Sequence, residues 1–85
     1  MKVKVLYFAS LREQLGTPGE ELELPAGVGT VAALRSHLRG RGGAWELALA
    51  ETKLVRAALN QDMAPPTAAL KAGDEVAFFP PVTGG

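Results

Sequence analysis

KLVRAALNQD, Lys53 to Asp62, is the stretch on which the fold turns. Its leucines, alanines and arginine have helical propensity. Yet Val55, Ala57 and Leu59 alternate with their neighbours, and Asn60-Gln61-Asp62 has the composition of a turn, so a strand with those three side chains inward suits the next residues of the chain better than a helix. Met63 then begins a short return strand. PPTAALKAGD, residues 65–74, is a turn-rich crossing, and Glu75 to Phe79 reads as the last strand with Val76 and Phe78 inward.

Working back from Lys53, AWELALAE places Trp45 and Leu49 one helical turn apart, which predicts a short helix. Before it, Thr30 can cap a longer helix in which Val31, Leu34 and Leu38 recur at helical spacing, ended by glycines 40, 42 and 43. EELELP alternates as a strand, with Leu22 and Leu24 inward and Glu21 and Glu23 outward. KVKVLYF, residues 2–8, alternates too, with Val3, Val5 and Tyr7 on one face and Lys2, Lys4, Leu6 and Phe8 on the other. Antiparallel pairing of these two strands sets the lysines opposite the glutamates. Between them, Ser10 and Glu13 have the spacing of a capping box, which predicts a helical turn over SLREQL stopped by Gly16. The order strand, strand, helix, strand, short strand, strand is that of an α+β, ubiquitin-like β-grasp fold: a mixed sheet with its main helix on one face. We expect one domain over 1–79 and an extended tail over 80–85. The first and last strands then lie side by side and parallel, and Leu6, Phe8, Ala77 and Phe79 form an apolar outer patch.

Composition removes several function classes. At 85 residues the chain supports one thin core, with only about 60% of its surface buried on folding. There is no cysteine, hence no disulfide, thiolate metal site or cysteine nucleophile. Nine basic side chains balance nine acidic ones, so the cationic excess needed for nucleic acid is missing. The apolar run at the start is too short for a secretory core, and nothing approaches a membrane span. A cytoplasmic protein is expected.

The side chains offer little catalysis. His37, the single histidine, sits on the flank of the main helix and reads as a surface residue with no metal cluster around it. Ser10 reads as a helix cap rather than a nucleophile. Glu20, Glu21 and Glu23 read as a solvated strand face, and Arg35 with Arg39 as a solvated helix face. The glycines of AGVGT lack the spacing and lysine of a phosphate loop.

The ending FFPPVTGG reads differently. Pro80 and Pro81 cannot donate to a ladder and hold the backbone extended, so pairing should stop at Phe79. Six further residues reach about 20 Å, enough to thread another protein's cleft. Val82 and Thr83 give that cleft something to grip, while Gly84 and Gly85 let a narrow channel close on the backbone around a terminal carboxylate.

With KVLYFASLRE near its start, LVRAALNQ in the middle and GDEVAFFPPVTGG at its end, the chain resembles the small, sulfur-carrier subunits of molybdopterin synthase over essentially its whole length. The resemblance implies that Gly85 is adenylated by an ATP-using, ubiquitin-activating-like enzyme and converted to a thiocarboxylate by a sulfur donor enzyme, with no cofactor held permanently. It implies that the tail then enters the large subunit, in a heterotetramer of two small and two large chains, and gives sulfur to cyclic pyranopterin monophosphate. Phe79 and Met63 fall where such proteins contact their partners. RGRGGAW, residues 39–45, matches no motif of the family. Thiamine-pathway sulfur carriers and ubiquitin-like protein modifiers end in the same two glycines and are the alternatives.

Overall fold

A computed structural model describes residues 1–81. In chain order its elements are β1 (Lys2–Tyr7), α1 (Ala9–Leu15), β2 (Gly19–Glu23), α2 (Val31–Arg39), α3 (Ala44–Ala48), β3 (Arg56–Leu59), β4 (Asp62–Ala64) and β5 (Glu75–Phe79). The ambiguous 53–62 stretch is therefore a strand and a turn. β3 and β4 are joined by the two residues Asn60 and Gln61, both at positive φ (50° and 72°), the left-handed pair that lets a hairpin keep its natural twist. Asn60 is anchored there: its Nδ2 donates to Asp74 Oδ1 at 3.0 Å, and its Oδ1 accepts from the Glu75 amide at 3.0 Å. The Lys71 amide donates to the other Asp74 oxygen at 2.7 Å. These bonds, led by the one from Asn60, hold the Asp74 carboxyl below its ordinary pKa.

The strands form one sheet in the order β2-β1-β5-β3-β4, with β1 and β5 parallel and the other pairs antiparallel. With α2 across one face, this is the β-grasp arrangement. Thr30 caps α2 as its side chain promises, Oγ1 accepting from the Ala33 amide at 3.1 Å. Val31, Leu34 and Leu38 of α2 meet Val3, Val5, Tyr7, Val76 and Phe78 of the central strands in a single buried cluster. The β1–β2 register sets Lys2 opposite Glu23 and Lys4 opposite Glu21, as the alternation requires. Among the described residues no helix is long and apolar enough to cross a membrane.

Three local expectations need correction. Ser10 does not cap α1. The helix begins one residue earlier, at Ala9, with Phe8 as N-cap and no side-chain cap bond. The reason is the sheet: the Phe8 amide donates to the Phe78 carbonyl at 3.1 Å, so the chain stays extended through Phe8 and swings into the helix at Ala9 (φ 53°). Gly16 does end the helix, in the left-handed conformation glycine allows (φ 73°).

Arg35 is not simply solvated. Its Nε donates to the Leu49 carbonyl at 2.9 Å, and its Nη2 to those of Ala50 (2.6 Å) and Lys53 (3.0 Å). A cation thus gathers the carbonyls of the segment that leaves α3, the Ala50 oxygen also accepting from the Lys53 amide at 2.9 Å. Arg39 reaches Glu51 at 3.3 Å.

Glu20 does not belong to the outward glutamates. It pairs with inward-facing Val5, which puts it on the helix side of the edge strand, where it accepts from the Tyr7 hydroxyl at 3.0 Å. Arg41 grips both its oxygens at 2.8 Å. The same guanidinium lies 4.4 Å from the centre of the Trp45 ring, and Trp45 stands edge-on to Tyr7 at 5.3 Å. The glycine- and arginine-rich loop is therefore a clasp that fastens the α2–α3 turn to the β1–β2 edge.

The clasp titrates. The hydrogen bonds from Arg41 hold the Glu20 carboxyl below the usual carboxylate range, while burial, reinforced by the Glu20 charge, pushes the Tyr7 phenol up. A carboxyl with a depressed folded pKa adds stability above its unfolded value of about 4.3, and that stability is lost as pH falls through the folded value. The parent protein should therefore lose more stability than Glu20→Gln between about pH 5 and pH 3. Parallel denaturation curves for the two across that window would refute the clasp.

Candidate functional site: the outer sheet face and the tail root

The face turned away from α2 is built by strand alternation. Leu6 of β1 pairs with Ala77 of β5, Ala77 with Ala58 of β3, and Ala58 with Met63 of β4. Side chains directly opposite on neighbouring strands share a face, so these four make a row across the sheet. At its far end Leu6 is opposite Gly19, where an added Cβ would come 2.7 Å from the Val5 carbonyl oxygen and 2.9 Å from Leu6 Cδ2. Only glycine lets β2 lie that close. The row is low in the middle, where the two alanines sit, and high at the ends; Met63 is 59% exposed.

One row nearer the tail lie Phe8 and Phe79. Phe8 is 46% exposed and is tied to the end of β5 by the hydrogen bond its amide donates to the Phe78 carbonyl. Phe79 is half-buried, faces outward, and lies opposite Arg56 of β3, whereas its neighbour Phe78 is 1% exposed and faces the core. The expected division between Phe78 and Phe79 is thus observed. Leu6, Phe8, Ala77, Phe79 and Met63 come together on one face, as the alternation implies. Ala58, Gly19 and Arg56 join them unanticipated. The first and last could have been read from the outward set of the 53–62 strand; the role of Gly19 follows only from the register.

β5 stops at Phe79, and Pro80 and Pro81 come next with no strand assignment. The functional expectations for Val82, Thr83, Gly84 and Gly85 fall outside the described residues. Among the described residues no group of three histidine, cysteine, aspartate or glutamate side chains could hold a metal, and His37 is exposed. What this face can do chemically is dock: it offers a shallow, contiguous apolar row, bordered by Arg56 and by the Lys4–Glu75 pair, beside the point where the chain leaves the sheet.

Comparison with known proteins agrees with the geometry. Residues 5–85 match the model of the ThiS family. The chain is 49% identical over 83 residues to the molybdopterin synthase sulfur carrier subunit of Escherichia coli, covering 98% of this chain and 99% of that one. Among solved structures, a putative molybdopterin converting factor, subunit 1, from Pyrococcus furiosus superposes with a TM-score of 0.77 at 33% identity, covering 96% and 99% of the two chains. The small archaeal modifier protein 1 of H. volcanii superposes with a TM-score of 0.74 at 26% identity, covering 95% and 98%. On fold, sequence and length together, this chain belongs to the ThiS family, alongside the molybdopterin synthase sulfur carrier subunits.

Proposed function

We propose that the protein is a sulfur carrier in molybdopterin biosynthesis and that the group it carries is attached to the α-carboxylate of Gly85. The single observation behind this is an apolar outer row placed at the root of a Pro-Pro-Val-Thr-Gly-Gly ending in a relative of the sulfur carrier subunits. A carboxylate is a poor electrophile until one oxygen becomes a good leaving group. Attack of that oxygen on the α-phosphate of ATP, in an activating enzyme, forms the acyl adenylate and releases pyrophosphate. Sulfide-level sulfur delivered by a donor enzyme, or a persulfide with a thiol reductant to cleave the resulting acyl disulfide, then attacks the acyl carbon and expels AMP to leave the thiocarboxylate. With no cysteine anywhere in the chain, the terminus is where sulfur can be held covalently.

The charged tail next enters the large subunit of the synthase, in the cytoplasm. Leu6, Phe8, Met63, Ala77 and Phe79 make the contact, Pro80 and Pro81 hold the exit extended, and Val82, Thr83, Gly84 and Gly85 occupy the cleft. Catalytic groups come from the partners. Each carrier delivers one sulfur, so a dithiolene consumes two carriers.

The test is reconstitution. Thiocarboxylated protein, a cognate large subunit and cyclic pyranopterin monophosphate should yield molybdopterin and return the carrier with an ordinary carboxylate. The likeness to an archaeal modifier gives protein conjugation a specific claim as a second reading. Isopeptide-linked products without any pterin product would favour it, and sulfur recovered only in a thiazole would favour the thiamine pathway.

A further inference from the structure

On the helix side of the β4 edge the surface opens into a groove of about 520 Å³ between α2, the 51–56 segment and β4, and Pro81 forms part of its wall. Its floor is apolar, with Val31, Ala57 and Phe78 beneath. Leu54 and Met63 stand at its mouth, 79% and 59% exposed, two of the most exposed large apolar side chains among the described residues.

The rim is cationic in a chain that is neutral as a whole. Arg35 and Arg39 line the groove against the single carboxylate of Glu51, and Arg56, which the register turns to the outer face opposite Phe79, borders its edge. Arg35 is occupied by backbone carbonyls and Arg39 shares Glu51, while Arg56 makes no ion pair among the described residues. Burial, and after it the charge of Arg39, make Arg35 a weaker base than usual. An occupant must bring negative charge and some apolar surface.

Met63 belongs both to the outer-face row and to this groove, and the chain exits along the groove wall at Pro81. Whatever protein receives the tail therefore runs past the groove mouth. We propose that the groove between α2 and the β3–β4 edge is a second docking surface, which takes an extended, acidic and partly apolar segment of the large subunit while the outer face and the tail engage the rest of it. This rests on the sulfur-carrier reading above.

Leu54 provides the test, because its exposure allows substitution without disturbing the core. Binding of the full-length carrier to the large subunit of the synthase from the same organism is measured by calorimetry for the parent, Leu54→Glu and Leu54→Lys, with melting curves to show that all three fold alike. Leu54→Glu should weaken binding about tenfold or more and Leu54→Lys several-fold less, the gap closing between about 0.05 M and 0.5 M salt as screening removes the charge effect. Adding Arg39→Gln to Leu54→Lys should weaken binding again. Equal affinity for the parent and both Leu54 variants, or equal loss in the two at every salt concentration, would overturn the proposal. Failure of the parent itself to bind the large subunit would instead overturn the carrier reading on which it depends.

Discussion

A protein lacking Gly85, and one carrying an extra residue after it, should both fold like the parent and both fail to transfer sulfur. The deletion still ends in a glycine carboxylate, that of Gly84, so the loss comes from position and not from chemistry. One extended residue spans about 3.5 Å, and reacting groups displaced by even about 1 Å lose on the order of a hundredfold in rate, so the shortened carboxylate stops short of the activating site and the lengthened one overshoots. Stability should hold because the change lies six residues beyond the last strand; for a domain of this size a melting shift under about 2 °C corresponds to less than about half a kcal/mol. Molybdopterin formation by either variant at the parental rate would remove Gly85 from the mechanism.

The second large effect separates two adjacent aromatics. Phe78 is buried under α2, and Phe78→Ala should cost roughly 3–5 kcal/mol of stability, enough to leave so small a domain mostly unfolded when warmed. Phe79→Asp should cost little, since its side chain faces outward and the new carboxylate would lie opposite Arg56. That substitution should instead weaken binding to the large subunit by at least about 2 kcal/mol, the scale of an aromatic at the centre of an interface. Calorimetric melting and titration read the two quantities independently. A reversed pattern would mean that the docking face is the one beneath α2.

These two residues also show what alternation makes legible. On a strand flanked by core on one side and open surface on the other, a step of one residue exchanges faces, so Val3, Val5, Tyr7, Val76 and Phe78 can be separated from Leu6, Phe8, Ala77 and Phe79 by counting alone. The β1–β2 register is readable from opposite charges at the same spacing. The capping signal at Ser10 misleads because a local preference meets a tertiary one: pairing of Phe8 with β5 keeps the strand going and moves the start of α1.

Glu20 misleads for a related reason. An edge strand can place a carboxylate on the covered face if a cation arrives to meet it, and Arg41 arrives from 21 residues away on a loop whose glycines alone are conspicuous. Arg35 likewise serves carbonyls 14 to 18 residues distant. Polar partnerships across such separations depend on how elements pack, and no short sequence pattern records them. The apolar outer face, made by period-two alternation, is readable; the clasp and the cationic groove, made by chain reversals around α2, require the fold.

The most direct measurement is the intact mass of the full-length protein after incubation with its activating enzyme, ATP and a sulfur donor. The carrier account predicts a gain equal to the exchange of one oxygen for one sulfur, confined by fragmentation to Gly85, dependent on ATP, and reversed when the large subunit and cyclic pyranopterin monophosphate are added. An unchanged mass under those conditions, or a sulfur atom found on any other residue, would contradict it.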